Sequence, residues 1–175
     1  MGLFKKEAQP GIDMEQSAAN KKRFRELFND AVPEGDTYNI LYGSSSKSQI
    51  NKGFVVDTRV TTFYYYILGY RESDNRVAVL QIDRDITQHS EPEFISIQEV
   101  KETSYYKKLH QIWFIYKDSN RGYGVGLNIG DGSATSLYGI RNVAQEAERE
   151  QFLDFFERYT EQLRQMGCKI KKWKR

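Results

Sequence analysis

The segment TTFYYYILGYR, residues 61–71, constrains this chain more than any other. As a strand it places Phe63, Tyr65 and Ile67 on one side and Tyr64, Tyr66, Leu68 and Tyr70 on the other. A strand with one wet face alternates apolar and polar residues, whereas this one is apolar on both. Its fold must therefore cover two faces. The stretch HQIWFIY, residues 110–116, repeats the pattern. Two kinds of cover suit such strands: a helix of the same chain, or a partner surface that includes Tyr64, Tyr66, Tyr70 and Trp113.

The surroundings agree with a sheet. Residues 37–140 lack helical periodicity, and the aromatic share of 14% favours strands. The segments TYNILYGS, TTFYYYILGYR, RVAVLQID, EFISIQEV, KLHQIWFIYK, GYGVGLNI and ATSLYGI read as seven strands. Polar clusters such as Glu72-Ser73-Asp74-Asn75 separate several of them, and Asp131-Gly132 is a hairpin signal. Short links point to an antiparallel meander closing into a bent sandwich or small barrel.

A helix stands at each end. Asp13, with Gln16 three residues on, reads as an N-cap and capping box. Phe24, Leu27, Phe28 and Ala31 then recur at helical spacing before Pro33, which predicts a helix over 14–31. Near the other end Asn142 reads as a cap. Phe152, Phe155, Phe156, Tyr159, Leu163 and Met166 follow as an apolar stripe, and Gly167 is placed to end the helix. That stripe needs an apolar surface, and the sheet is the candidate. The chain divides into a flexible start (1–12), an N-terminal helix (13–33), a main domain (37–167) and a basic tail (168–175).

Gly122, Gly124, Gly126, Gly130 and Gly132 raise the question of a phosphate-binding loop. Such a loop needs its glycines at a strand-to-helix turn. Here Ile129 occupies the next required glycine position and no Gly-Lys-Ser or Gly-Lys-Thr follows. Val125, Leu127 and Ile129 alternate with Gly124, Gly126 and Asn128, which is the period of a strand. Glycines along one strand face leave room for a bulky neighbour or another backbone.

Catalytic chemistry has little to work with. His89 lies in a polar loop, His110 in an aromatic strand, and Cys168 beyond the last helix. Asp83 and Asp85 read as a strand-end pair facing solvent. No Cys pair, HExxH or EF-hand loop suggests a metal, and no cofactor is implied. The expectation is a protein without catalytic, cofactor or metal residues.

One cysteine permits no internal disulfide, and the start MGLFKKEAQPG lacks the apolar region of a secretory signal. The expected location is the cytoplasm, with the membrane surface as the alternative. The +2 net charge is local: KIKKWKR carries Lys169, Lys171, Lys172, Lys174 and Arg175 and no acid, which leaves the rest of the chain net acidic. That argues against nucleic acid on the body of the fold.

Seven antiparallel strands followed by an amphipathic helix resemble the pleckstrin-homology superfold, and bacterial pleckstrin-homology-like domains in particular. The resemblance is one of element order over residues 37–166. It implies an α+β domain whose last helix closes one corner of a bent sheet, with helix 14–31 as an addition. Members that bind phosphoinositides carry basic residues on the first hairpin. Here SSSKSQINKGFVVDTR offers Lys47, Lys52 and Arg59, with Thr61 where a further Arg is wanted. The leading functional expectation is a non-enzymatic binding or scaffolding module for a protein partner or a second copy, as a homodimer. The alternatives are an anionic-lipid binder using these residues and the tail, and a small-ligand-binding β-barrel.

Overall fold

The structure, a computed structural model, describes residues 11–52, 56–118, 124–133 and 138–171. Helix α1 spans Met14–Ala31, as predicted. Asp13 Oδ1 accepts the backbone N–H groups of Glu15 and Gln16, each at 3.0 Å. The reciprocal half of the capping box is not made. Gln16 Nε2 donates to Asn20 Oδ1 at 3.0 Å, and the Asp13 N–H goes to Asn142 Oδ1 at 3.2 Å. The Val32 N–H closes the last turn on the Phe28 carbonyl, and Pro33 has no N–H to extend it.

The strands are β1 Asn39–Asn51, β2 Thr58–Arg71, β3 Arg76–Ile82, β4 Glu93–Ile95, β5 Val100–Tyr106, β6 Gln111–Tyr116, β7 Gly124–Asn128 and β8 Lys169–Lys171. They form one eight-stranded sheet in the order β4-β3-β2-β1-β7-β6-β5-β8. Neighbours are antiparallel except β5 and β8, which are parallel. β4 and β8 lie at opposite ends, so the sheet is open and mixed. The expected closed, all-antiparallel sandwich or barrel is corrected accordingly. The start of the basic tail supplies the eighth strand: Lys169, Ile170 and Lys171 pair with Glu102, Thr103 and Ser104.

The strand list changes too. EFISIQEV breaks at Ser96, where Ile97–Glu99 form a 3-10 turn and Glu99 Oε2 accepts the Ser96 N–H at 2.9 Å. The segment VKETSYY then forms β5, unforeseen because its apolar and polar residues do not alternate. Of the predicted strand ATSLYGI, residues 134–137 lie outside the described residues, and Tyr138–Ile140 are not a strand. His110 sits in a left-handed turn (φ 46°) ahead of β6.

Both faces of the sheet carry a core. Helix α2, Glu146–Gln165, lays Phe152, Phe155, Phe156, Tyr159 and Leu163 against Leu68, Tyr70, Tyr105, Ile112, Phe114 and Leu127. The opposite face packs Ile67, Ala78, Leu80 and Tyr42 under Phe24 and Phe28 of α1. Phe24 stacks on Tyr42 with ring centroids 5.8 Å apart. Gly69 lies against the tip of the Phe28 ring, and a Cβ there would clash with the ring's Cζ. The two-sided strand β2 is thus covered over its second half by one helix on each side. Tyr70, expected at an interface, is instead 1% exposed, wedged between Phe152 and Phe155. Burial pushes its hydroxyl pKa up to about 12, with the nearby Glu72 carboxylate adding to the effect.

Helix α2 begins later than expected, at Glu146, and Asn142 is not its cap. Asn142 adopts a left-handed conformation (φ 54°) in the preceding loop. That loop holds α1: Asn20 Nδ2 donates to the carbonyls of Arg141 and Asn142, and Ser17 Oγ accepts the Ala144 N–H at 2.9 Å. At the other end Gly167 (φ 78°) closes α2. Its N–H meets the Arg164 carbonyl, and the Cys168 N–H meets the Leu163 carbonyl. Met166 lies past the last turn and is exposed, so it is not part of the buried stripe.

The two halves of the sheet meet between β1 and β7, which among the described residues pair only at Ser44 and Asn128. Gln145 reinforces the junction. Its side chain accepts the Tyr42 N–H at 2.7 Å and donates to the Tyr42, Ile129 and Gly130 carbonyls. One buried amide thus pairs with Tyr42 as a neighbouring strand would.

Candidate binding surface

Two features project from this frame. The first is the far half of the β1–β2 hairpin. β1 meets β7 only at Ser44, and β2 meets β3 only from Tyr65 onward. Among the described residues, Ser45–Asn51 and Thr58–Tyr64 therefore pair only with each other. This two-stranded arm is held by its ladder and by side-chain bonds such as Ser48 to Thr61 at 2.9 Å. Ile50 is 65% exposed, Val60 49% and Val56 71%. Ile50 opposes Arg59 and Val60 opposes Gln49, so each face of the arm carries an apolar residue. Lys47 and Lys52 are exposed alongside, and Arg59 donates to Ser48 Oγ at 3.3 Å.

The second feature is a groove of about 360 Å³ where β1 diverges from β7, on the face that α1 covers elsewhere. Its floor is Trp113 on β6, which opposes Gly126 on β7. A Cβ on Gly126 would sit 2.5–2.6 Å from three atoms of the indole. Near-equal distances mean that the ring lies flat over the glycine. One strand face without side chains thus serves a bulky neighbour, as the glycine alternation predicts. Phe63 forms one wall, stacked at 4.7 Å on the exposed Tyr138, whose carbonyl accepts the Tyr65 hydroxyl. Leu109 and Gln111 form the other wall, and Ser44, Ser46 and Asn128 the rim.

The other candidate residues fall as follows. Tyr64 and Tyr66 are half-buried at the base of the arm, on the α2 side. Burial raises the Tyr66 hydroxyl pKa. Lys169 and Lys171 stand on β8, where Lys171 pairs with Glu102 at 2.7 Å. Lys172, Lys174 and Arg175 lie outside the described residues. β8 is separated from β1 by three strands, about 19 Å along the sheet at the usual strand spacing. The basic residues of the arm and of β8 are not brought together.

The residues weighed for chemistry take structural positions. Asp83 accepts the N–H groups of Asp85, Thr87 and Gln88 and the Thr87 hydroxyl. Burial would raise its pKa, but these bonds outweigh burial and hold it below the ordinary value. His89 Nε2 lies 3.0 Å from Asp30 Oδ2, and its Nδ1 lies 2.9 Å from the Ser90 carbonyl. Both nitrogens face acceptors, and the Asp30 bond, followed by the Ser90 bond, raises the imidazole pKa. Cys168 Sγ rests 3.2 Å from the Val100 carbonyl. Among the described residues, no three His, Cys, Asp or Glu side chains are grouped to hold a metal ion, and no helix is long and apolar enough to cross a membrane.

The Phe63–Tyr138 stack and the roles of Leu109, Gln111 and Asn128 were not foreseen. A signal did exist: glycines on one face of β7, beside a strand with an outward Trp. The register that joins them is set at long range. No protein-family model, curated protein or solved structure matches this chain.

Proposed function

We propose that this chain is a non-enzymatic binding module of pleckstrin-homology-like architecture whose β1–β2 arm joins that of a second copy. The observation that carries this reading is the arm itself. An isolated two-stranded ribbon is marginal in water, and open strand edges are normally shortened, charged or covered. This arm runs past both neighbours and exposes Ile50, Val56 and Val60. Edge-to-edge pairing of two arms covers one open edge of each and is self-complementary about a two-fold axis. The pleckstrin-homology-like reading rests on the strand meander and the closing C-terminal helix. The Phe-filled space between α2 and the sheet disfavours a ligand-holding barrel.

Light scattering of purified protein across the micromolar to millimolar range tests this reading. A mass rising toward the dimer is expected, and Ile50→Lys with Val60→Lys should return it to the monomer at an unchanged melting temperature. A monomer at every concentration overturns the self-pairing.

A second reading has its own observation: Lys47, Lys52 and Arg59 surround exposed apolar residues on one arm, which suits an anionic membrane surface. At about 1 kcal/mol per basic residue, three give only weak attachment, and Asp57 subtracts from it. Salt-sensitive sedimentation with phosphatidylserine vesicles, lost in Lys47→Glu with Arg59→Glu, would favour it over pairing.

A further inference from the structure

We infer that the groove over Trp113, at the base of the arm, is a binding site for a neutral saccharide. In a chain whose residues are 29% charged, none of the described residues that line the groove carries a charge. That composition does not suit phosphates, carboxylates and amines, which require an opposite charge when they leave water. Its volume falls in the range of ordinary ligand sites.

The lining is also not simply apolar. Among the described residues, the Trp113 indole N–H, the Gln111 amide and the Ser46 hydroxyl have no hydrogen-bond partner. A purely apolar ligand would strip water from these groups and return nothing. The Asn128 amide is pinned, donating to the Leu109 carbonyl at 2.7 Å and accepting the Gly130 N–H at 2.9 Å. It still has one N–H and one lone pair to offer.

A ligand that fits must present a flat C–H face to the indole and hydroxyls around its edge. A pyranose ring does both. Its axial C–H bonds, polarised by the ring oxygens, stack on the negative face of an aromatic ring. Its equatorial hydroxyls donate and accept in the ring plane, where Gln111, Ser46 and Asn128 stand. Gly126 fixes the platform, because the indole is held flat only where no side chain rises beneath it. The groove is open along the divergence of β1 and β7, which allows a chain of sugar rings to run through it.

The test is a titration of full-length protein carrying Trp173→Phe, so that Trp113 is the only indole. Maltohexaose, cellohexaose and chitohexaose are added in turn, and the indole N–H resonance is followed by NMR. At least one should shift it saturably, with a dissociation constant in the millimolar range or tighter. Gln111→Ala should weaken that binding about fivefold, the value of one neutral hydrogen bond. Trp113→Ala should abolish it in protein that still melts cooperatively, and Trp113→Phe should retain part of it. The inference is overturned if none of the three sugars gives a saturable shift, or if binding survives Trp113→Ala. It is equally overturned if an uncharged Gly-Ala peptide shifts the resonance and the sugars do not. Light scattering of the same samples reads arm pairing independently, so the two readings fail separately.

Discussion

Over β1–β3, the sheet face opposite α2 is closed by the rings of Phe24 and Phe28. Over β6 and β7, the same face carries one half-exposed indole. Both regions use a glycine to seat an aromatic ring, Gly69 at the tip of Phe28 and Gly126 under Trp113. The rings differ in ownership. Phe28 belongs to a helix that must stay docked, whereas Trp113 belongs to the neighbouring strand and lines the groove on its outer side. Apolar content therefore does not decide whether a strand is buried. The reach of the covering helix does, and an 18-residue helix does not span eight strands.

The largest effect should come from the side that both regions share. Phe156 packs edge-on against Phe114 and stacks on Phe152. Phe156→Ala should lower stability by about 3–5 kcal/mol in chemical denaturation. A loss below 1 kcal/mol would mean that α2 is not the common support of the sheet. The comparison itself is broken or sharpened by Gly69→Ala against Gly126→Ala. At Gly69 the new methyl meets a fully buried ring with nowhere to go, for a cost of about 1–3 kcal/mol. At Gly126 the indole can swing toward solvent, and the cost should stay under about 1 kcal/mol. Equal costs would show that both rings are equally confined.

Tyr159→Phe should act in the opposite direction. Among the described residues the buried Tyr159 hydroxyl has no hydrogen-bond partner, and burial raises its pKa. Its removal should leave stability unchanged or raise it by up to about 1 kcal/mol; a clear loss would reveal a bound partner. The smallest effect concerns His89. Its folded pKa lies above the ordinary imidazole value, so protonation favours the folded state. The contribution is complete below the unfolded-state pKa and fades as pH rises through the folded one. Asp30 is mostly exposed, which limits the effect to under about 1 kcal/mol. Melting temperature should fall slightly from pH 6 to pH 8, and this slope should vanish in Asp30→Asn.

Local chemistry made much of the fold legible. The Asp13 cap, the Phe stripe of α2, the Gly167 stop and the alternation of β7 each depend on neighbours within a few residues, and each is found in the structure. Features decided at long range were hidden. Parallel pairing of β8 with β5 joins residues more than sixty positions apart and leaves no local mark. Tyr70 looked like surplus surface because its two covering rings lie some eighty residues away. Gln145 bonds to Tyr42, 103 residues away, and nothing near it in the chain marks that role. Of the candidate surface, Trp113 and the basic arm residues were visible. The groove was not, because it exists only where β1 and β7 part.

The docking of α1 on the loop before α2 has a consequence for synthesis. Phe28 can find Gly69 and Leu80 once the first hairpins have left the ribosome. Asn20 must wait for the carbonyl of Arg141, 121 residues downstream. At 5–20 residues per second, that delay is about 6–24 s. Late in that interval a nascent chain holds its first helix by apolar contacts and the Asp30–His89 bond, with the Ser17 and Asn20 side chains still bonded to water. Chains stalled near residue 110 should therefore be cut within α1 by a probing protease, and finished chains should resist.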